Sequence, residues 1–220
     1  MIEAILWDND GLLVDSEALF FELTRKAFER AGYLLDSRYW GVEYLGNARH
    51  SSEIALKVGM SPELAGRVIE ERNEAFLQSL ESPVPLLEDV SETIEALAGR
   101  VRLALVTGSP RDKVERMHRD NGLLAHFEVI ITDDDITRPK PHPEPYLKAL
   151  ERLGLEPRQC LAVEDSVRGL SSAHAAGIPC IVVPNRLTCI QEFDQAFAVE
   201  ERVSGVLKHF IALSVTTKDL

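Results

Sequence analysis

The chain is poor in cysteine and has no long apolar run. Its three cysteines, Cys160, Cys180 and Cys189, lack C-x-x-C spacing, and two fall within apolar segments, so we expect reduced thiols and no disulfide framework. No uninterrupted apolar stretch approaches the roughly 20 residues that a membrane span requires. The N-terminus runs into the apolar segment Ile2 to Trp7 without a basic region or a small-residue cleavage site. We therefore expect a cytoplasmic protein with no membrane partner.

Basic side chains are also scarce. Lys and Arg number 24 against 36 Asp and Glu, which gives a net charge of −12, and no Lys/Arg-rich run occurs. Affinity for the phosphate backbone of nucleic acids and for anionic membranes depends on clustered positive charge. The composition therefore argues against a nucleic-acid partner. With 45% hydrophobic and 27% charged residues, the 220-residue chain is typical of a soluble globular protein with a sizeable core.

Short Val/Ile/Leu-rich runs recur along the chain, and each run but the last precedes a polar turn and a helical pattern. This alternation is typical of parallel strands that are buried on both faces and joined by crossover helices. The predicted strands are 4–7, 101–106, 128–131, 160–163 and 179–183. The predicted crossover helices are 89–97, 111–121, 144–153 and 167–176. The fold class is therefore α/β, with a Rossmann-like parallel sheet.

The first two strands are separated by roughly ninety residues, far more than one crossover needs. Most of this stretch has apolar residues at helical spacing, which indicates an inserted helical unit. We expect a core domain formed by residues 1–15 and 83–220 and a helical domain formed by residues 16–82. The prolines of the segment Ser82 to Pro85 suit a stiff connection.

Two pairs of acids lie at predicted strand ends. Asp8 and Asp10 follow the first strand, and Glu164 and Asp165 follow the fourth. Ligands of open α/β sheets bind beside the carboxyl ends of the strands, so both pairs would border one site. Carboxylates this close repel each other unless a cation neutralises them, and Mg²⁺ prefers such oxygen ligands. An acidic turn without a metal is the alternative for either pair taken alone.

Other polar residues at strand ends suit an anion. Thr107, Gly108 and Ser109 follow the second strand and offer hydroxyl and backbone N–H donors. Lys140 lies in the segment Arg-Pro-Lys-Pro-His-Pro, where three prolines stiffen the backbone. A lysine held beside acids can neutralise both a carboxylate and a phosphate, although most single lysines are simply solvated.

In this order along the chain, the motifs resemble those of the haloacid dehalogenase superfamily, in particular its phosphatases and β-phosphoglucomutase-like members with an inserted helical cap. The matching residues are Asp8-Asn9-Asp10-Gly11 with Asp15-Ser16, then Thr107, Lys140 and Glu164-Asp165-Ser166. The resemblance implies that Asp8 is the nucleophile, that Asp10 is the general acid and base, and that an aspartyl-phosphate forms. It also implies that Thr107 holds a phosphate oxygen, that Lys140 pairs with the phosphate and Asp8, and that Asp165, Asp8, Asp10 and Glu164 serve the Mg²⁺ ion.

Within the expected cap, the segment Gly46 to Ser52 resembles the Gly-x-x-Arg-x-x-Ser loop of the β-phosphoglucomutase branch, which makes Arg49 a candidate for substrate binding. Mutases of that branch also carry a histidine early in the first cap helix, where this chain has Leu19, Phe20 and Phe21. The resemblance therefore favours a phosphatase acting on a small phosphorylated metabolite, such as a sugar phosphate, with a phosphomutase as the alternative. A monomer or a small homo-oligomer is expected.

Overall fold

The computed structural model describes residues 1–215, and the side chains of residues 1–213. Residues 216–220, the end of the predicted core domain, lie outside the described part. Within it, no helix has both the length and the apolar character needed to cross a bilayer.

The centre of the fold is a six-stranded parallel sheet with the spatial order β3-β2-β1-β4-β5-β6. The strands are β1 (Ala4–Trp7), β2 (Arg102–Val106), β3 (Val129–Ile131), β4 (Cys160–Glu164), β5 (Cys180–Val182) and β6 (Ala198–Val199). The predicted α/β class and the five predicted strands are confirmed; the two-residue β6 was not predicted. Trp7 at the end of β1 pairs with Leu105 of β2 on one side and Val163 of β4 on the other. The residues that follow β1, β2 and β4 therefore emerge side by side.

Helices cover both faces of the sheet, and alternate residues of each strand point to opposite faces. Ile5 and Trp7 of β1 belong to one buried apolar cluster, whereas Ala4 and Leu6 belong to another. The first cluster is covered by α5 (Val90–Leu97), α6 (Arg111–Met117) and α9 (Val206–Val215), the second by α7 (Glu144–Leu153) and α8 (Val167–Ala175). Burial on both faces explains why the strands are continuous apolar runs.

One predicted helix, 111–121, is too long, because α6 ends at Met117. His118 and Asn121 hydrogen-bond to each other through their side chains, and Asn121 Oδ1 accepts the backbone N–H of Leu123 at 3.0 Å. Local side-chain bonds of this kind compete with the backbone bonds of a helix. The His118 ring is also drawn inward to Asn9 Oδ1, 2.6 Å from its Nε2.

The segment between β1 and β2 begins with a helical insertion, as expected. It contains α1 (Ser16–Arg30), α2 (Ser37–Trp40), a π-helical turn (Gly41–Gly46), α3 (Ser51–Lys57) and α4 (Pro62–Ser79). These elements surround a third apolar cluster that includes Phe28, Trp40 and Ile54. The two chain segments that connect the insertion to the core lie side by side, since Asp15 donates its backbone N–H to Pro85 O at 3.1 Å. The domain limits at residues 16 and 82 stay a prediction.

Candidate active site

Neighbouring strands β1 and β4 bring the predicted acids together. Asp8, Glu164 and Asp165 are 7%, 1% and 4% exposed, and each offers a carboxylate oxygen within 4.8 Å of the others. The backbone N–H of Asp8 donates to Val163 O at 3.0 Å, which continues the pairing of the strands into the site. Three buried carboxylates are thus held at one point of the sheet edge.

Lys140 reaches this acid cluster from the loop after β3. Its ammonium group donates to Asp8 Oδ1 at 2.7 Å, to Glu164 Oε1 at 2.6 Å and to Val106 O at 2.8 Å. These three acceptors satisfy all three protons of the lysine. Lys140 is 8% exposed, so its ammonium group interacts with the site and not with solvent.

Burial and mutual repulsion disfavour the ionisation of all three carboxylates of the cluster without a further cation. Burial raises the pKa of Asp8 above its ordinary value, Glu164 raises it further, and Lys140 opposes the rise. Burial, followed by Asp8 and Glu164, also raises the pKa of Asp165 well above its ordinary value. Burial disfavours the ammonium form of Lys140, yet the carboxylates of Asp8 and Glu164 raise its pKa above the usual range. One ammonium among three carboxylates leaves a site whose charge and oxygen donors fit a hard divalent cation.

Asp10 lies in a different environment from Asp8. Its Oδ1 accepts the Ser16 hydroxyl at 2.7 Å, and its Oδ2 accepts the hydroxyls of Thr107 at 2.8 Å and Ser109 at 3.0 Å. The two acids of the first motif therefore have separate partners, with Asp8 bonded to a cation and Asp10 to neutral hydroxyls. Such different surroundings suit two carboxylates that perform different tasks.

Several residues that support the acids were not singled out in the sequence. Tyr146 donates its hydroxyl to Glu164 Oε1 at 2.5 Å, and Asn185 donates to Asp165 Oδ2 at 2.8 Å and to Gly11 O at 3.1 Å. Gly169, in the first turn of α8, lets the Glu164 carboxylate pack against the backbone, because a Cβ there would overlap its oxygens. In the sequence, these contacts are indicated by Tyr146, which ends the motif Lys-Pro-His-Pro-Glu-Pro-Tyr that begins at Lys140, and by Gly169, four residues after Asp165.

The acids border a cavity of about 240 Å³ between the sheet edge and the helical insertion. Seven predicted site residues line it: Asp8, Asp10, Gly108, Ser109, Lys140, Glu164 and Asp165. Thr107 is fully buried and touches the site through its bond to Asp10. The remaining wall includes residues that were not among the predicted site residues, although Ser16 belongs to the first motif: Ser16, Glu17, Phe20, Tyr44, Phe76, Lys113 and Arg168.

Arg49 is the one predicted site residue that the structure does not bring to the acids or to the cavity lining. Its guanidinium donates to Glu43 Oε2 at 2.5 Å and to Glu53 Oε2 at 3.3 Å. Both partners are close in sequence, so the pairs fasten the loop between the π-helical turn and α3. Contact between Arg49 and a substrate stays a prediction.

Comparison with known proteins identifies the family and relatives with a named function. The model of the haloacid dehalogenase-like hydrolase family matches residues 5–183. A phosphorylated carbohydrates phosphatase of Thermotoga maritima is 37% identical over 185 residues, covering 80% of this chain and 82% of the relative. A phosphoglycolate phosphatase of Yersinia pseudotuberculosis is 31% identical over 221 residues, covering 96% and 91%. The crystal structure of CbbY from Rhodobacter sphaeroides in complex with phosphate superposes with a TM-score of 0.74 at 28% identity, covering 94% of this chain and 96% of that one.

The carboxyl edge of the parallel sheet holds buried acids and a buried lysine, and the chain is related to named phosphatases. Together these findings define an α/β phosphatase that acts on phosphorylated compounds. The chain belongs to the haloacid dehalogenase-like hydrolase family. The resemblance drawn from the sequence motifs is confirmed.

Proposed function

We propose that the chain is a Mg²⁺-dependent phosphatase that hydrolyses a small phosphorylated metabolite, such as a sugar phosphate or a similar phosphomonoester, through an aspartyl-phosphate on Asp8. The supporting observation is the division of surroundings between Asp8, bonded to Lys140 within the acid cluster, and Asp10, bonded to three hydroxyls. A relative named for phosphorylated carbohydrates supports the substrate class.

In the first half of the reaction, a carboxylate oxygen of Asp8 attacks phosphorus while the bond from phosphorus to the ester oxygen breaks. Asp10 gives its proton to the departing alcohol. Lys140 fixes the Asp8 carboxylate and reduces the repulsion between it and the phosphate. Asp8, Asp165 and Glu164 would hold a Mg²⁺ ion, with the Asp10 carbonyl as the further ligand that the family resemblance implies, and the ion would supply further positive charge beside the phosphate.

In the second half, Asp10 takes a proton from a water molecule, and the water oxygen attacks phosphorus. The acyl phosphate bond then breaks, which returns Asp8 to its carboxylate form and releases inorganic phosphate. We assign Thr107, Gly108 and Ser109 to the phosphate oxygens, since Gly108 and Ser109 line the cavity and Thr107 adjoins it. Phosphoryl transfer depends mainly on such positioning and charge stabilisation.

Hydrolysis is favoured over a phosphomutase reaction by the first insertion helix. Phe20 of α1 lines the cavity, and Phe21 is buried in the apolar cluster of the insertion. Neither side chain can carry a proton, so this part of the cavity lacks the histidine of the mutases named above.

The test is release of inorganic phosphate from a panel of phosphomonoesters, with Mg²⁺ and with excess chelator. Wild type with Mg²⁺ is expected to hydrolyse at least one ester, and chelation and Asp8→Asn are each expected to abolish turnover. Asp194→Asn, at an exposed acid outside the cavity lining, is the matched control and is expected to retain wild-type turnover. Undiminished phosphate release by Asp8→Asn would overturn the nucleophile assignment.

A further inference from the structure

His118 is a buried imidazole that the proposed reaction does not use. It directly follows α6 in the chain and is 3% exposed. Its Nε2 lies 2.6 Å from Oδ1 of Asn9, a fully buried residue between Asp8 and Asp10. Neither His118 nor Asn9 lines the cavity. The imidazole therefore contacts the first motif from the protein interior, without touching the space in which a substrate would lie.

The hydrogen bonds around His118 run in one direction, which a single backbone N–H determines. The backbone N–H of Leu123 donates to Asn121 Oδ1 at 3.0 Å, so the Asn121 amide nitrogen is left to donate to His118 Nδ1 at 3.1 Å. With Nδ1 accepting, the neutral imidazole carries its proton on Nε2 and donates it to Asn9 Oδ1. Burial lowers the pKa of His118, which favours this neutral form.

Asn9 is held at both ends of its side chain and at its carbonyl group. Its Oδ1 accepts from His118, and its Nδ2 donates to Met117 Sδ at 3.5 Å. Its carbonyl oxygen accepts the backbone N–H groups of residues 12–14 at distances between 2.9 and 3.3 Å. The Asn9 backbone is thus fixed within the turn that follows β1.

The position of Asn9 controls the geometry of the two reacting acids. Asn9 shares one peptide bond with Asp8 and another with Asp10, so its orientation sets the directions in which both acid side chains leave the backbone. Their carboxylates are held separately, that of Asp8 by Lys140 and that of Asp10 by three hydroxyls. A misplacement of about 1 Å can cost about a hundredfold in rate.

The helix α6 joins two contacts with this motif. Before the helix begins, Thr107 and Ser109 donate their hydroxyls to Asp10. Directly after the helix ends, His118 donates to Asn9. One helix therefore relates the carboxylate of the general acid to the backbone from which it extends.

We propose that His118 is a positioning residue for phosphoryl transfer, which fixes the backbone between Asp8 and Asp10 through its hydrogen bond to Asn9. The inference rests on the proposed phosphatase function and adds a residue that neither touches the substrate nor exchanges a proton in the reaction. Loss of the bond lowers kcat and leaves KM unchanged, because the residues of the cavity wall stay the same.

The experiment measures kcat, KM and melting curves with Mg²⁺, using the ester of the panel that wild type hydrolyses best. His118→Phe keeps a ring and removes the donor, and we expect kcat to fall at least tenfold with KM within twofold of wild type. His118→Gln offers an amide N–H in place of Nε2 and is expected to recover kcat to within threefold of wild type. His126→Phe, at an exposed histidine outside the cavity lining, is the matched control and should keep wild-type kinetics.

A double variant separates positioning from stability. His118→Phe alone leaves the buried Asn9 amide one partner short, which lowers Tm. Asn9→Leu combined with His118→Phe replaces both polar groups by apolar ones, so Tm is expected to recover. The hydrogen bond is still absent, and kcat is expected to stay at least tenfold below wild type. Recovery of kcat together with Tm would assign His118 to packing and overturn the positioning role.

The other outcomes keep the two proposals apart. A folded His118→Phe protein with kcat within twofold of wild type, or no better kcat in His118→Gln than in His118→Phe, would overturn the positioning role and leave the phosphatase function standing. If His118→Phe does not fold, the kcat of the double variant decides by the same criterion. Absence of phosphate release from every ester by wild type with Mg²⁺ would instead overturn the proposed function. The Mg²⁺-induced rise in Tm then tests the position of Asp8: a smaller rise in His118→Gln and in the double variant than in wild type supports the role of His118, and equal rises overturn it.

Discussion

The Nζ atom of Lys140 lies 2.7 Å from Oδ1 of Asp8, and both side chains are less than one tenth exposed. The same ammonium lies 2.6 Å from Glu164 Oε1, so a single cation compensates two buried carboxylates. Removing one partner of such a group leaves uncompensated charge in the interior, which is more damaging than the loss of a surface ion pair. Lys140 therefore couples the stability of the fold to the reactivity of Asp8.

Lys140→Met is expected to lower the free energy of unfolding by about 3–5 kcal/mol, because Asp8 and Glu164 lose their counter-charge. It is also expected to reduce kcat/KM for any hydrolysed ester by at least about a hundredfold. Urea unfolding and phosphate release measure the two effects. Lys26→Met, at an exposed lysine of α1, serves as the control and should change neither.

A double variant distinguishes charge compensation from packing at the same position. Adding Glu164→Gln to Lys140→Met removes one of the two stranded carboxylates, so part of the lost stability should return while activity stays low. If the double variant is no more stable than Lys140→Met alone, the loss reflects packing and not charge.

The raised pKa values of the buried acids predict a pH dependence of stability without metal. At about pH 6.5 the folded protein still binds protons at Asp8 and Glu17, whose pKa values are raised to about 7 and about 8, whereas the unfolded chain has already released them; burial raises the pKa of Asp165 in the same direction. The unfolded state therefore binds fewer protons, and the free energy of unfolding falls as the pH rises. Burial lowers the pKa of His118, so at about pH 6.5 the unfolded chain still binds part of a proton that the folded imidazole lacks, which opposes this trend near that pH.

Mg²⁺ should reverse that slope, because it binds the ionised carboxylates of the folded state. Melting curves at pH 6.5 and pH 8, with chelator and with Mg²⁺, are the measurement. We expect a larger rise in Tm on adding Mg²⁺ at pH 8 than at pH 6.5. An equal rise at both pH values would contradict the assignment of the acid cluster as the metal site.

The hydroxyl of Tyr146 donates to Glu164 and is fully buried, so Tyr146→Phe should leave the carboxylate one donor short. We expect a loss of about 1–3 kcal/mol in the free energy of unfolding. Urea titration measures it, with Tyr39→Phe as the control, since Tyr39 is partly exposed and has no hydroxyl hydrogen bond among the described residues. Losses of equal size in both variants would show that the bond to Glu164 has no special importance.

The positions of the acids could be predicted from sequence because each follows a continuous Val/Ile/Leu run, and parallel strands end at one edge of a sheet. The residues of the cavity wall outside these motifs could not be predicted in this way. Glu17 and Arg168 lie in the first turns of two helices where charged residues are common, and only the packing of α1 over the sheet edge brings them together. Arg49 matched a known loop pattern, yet its guanidinium pairs with Glu43 and Glu53, which lie close to it in the sequence.

Gly169 is the backbone feature on which the position of Glu164 depends. A Cβ at residue 169 would overlap both Glu164 carboxylate oxygens, so Gly169→Ala has to displace the acid or the first turn of α8. We expect a loss of about 1–3 kcal/mol in stability from the forced overlap, together with weaker Mg²⁺ binding. Urea unfolding and the Mg²⁺-induced shift in Tm measure the two effects.

Gly66→Ala provides the matched control for this substitution. Gly66 is exposed in the interior of α4, and a Cβ there meets no atom within 4 Å. The same chemical change should therefore stabilise the protein by about 0.5–1 kcal/mol, because alanine loses less backbone entropy than glycine in a helix. Opposite signs at the two glycines would assign the effect at residue 169 to its contact with Glu164, since backbone entropy alone favours alanine at both sites. A Gly169→Ala protein with wild-type stability and Mg²⁺ response would show that Glu164 can move without consequence for the site.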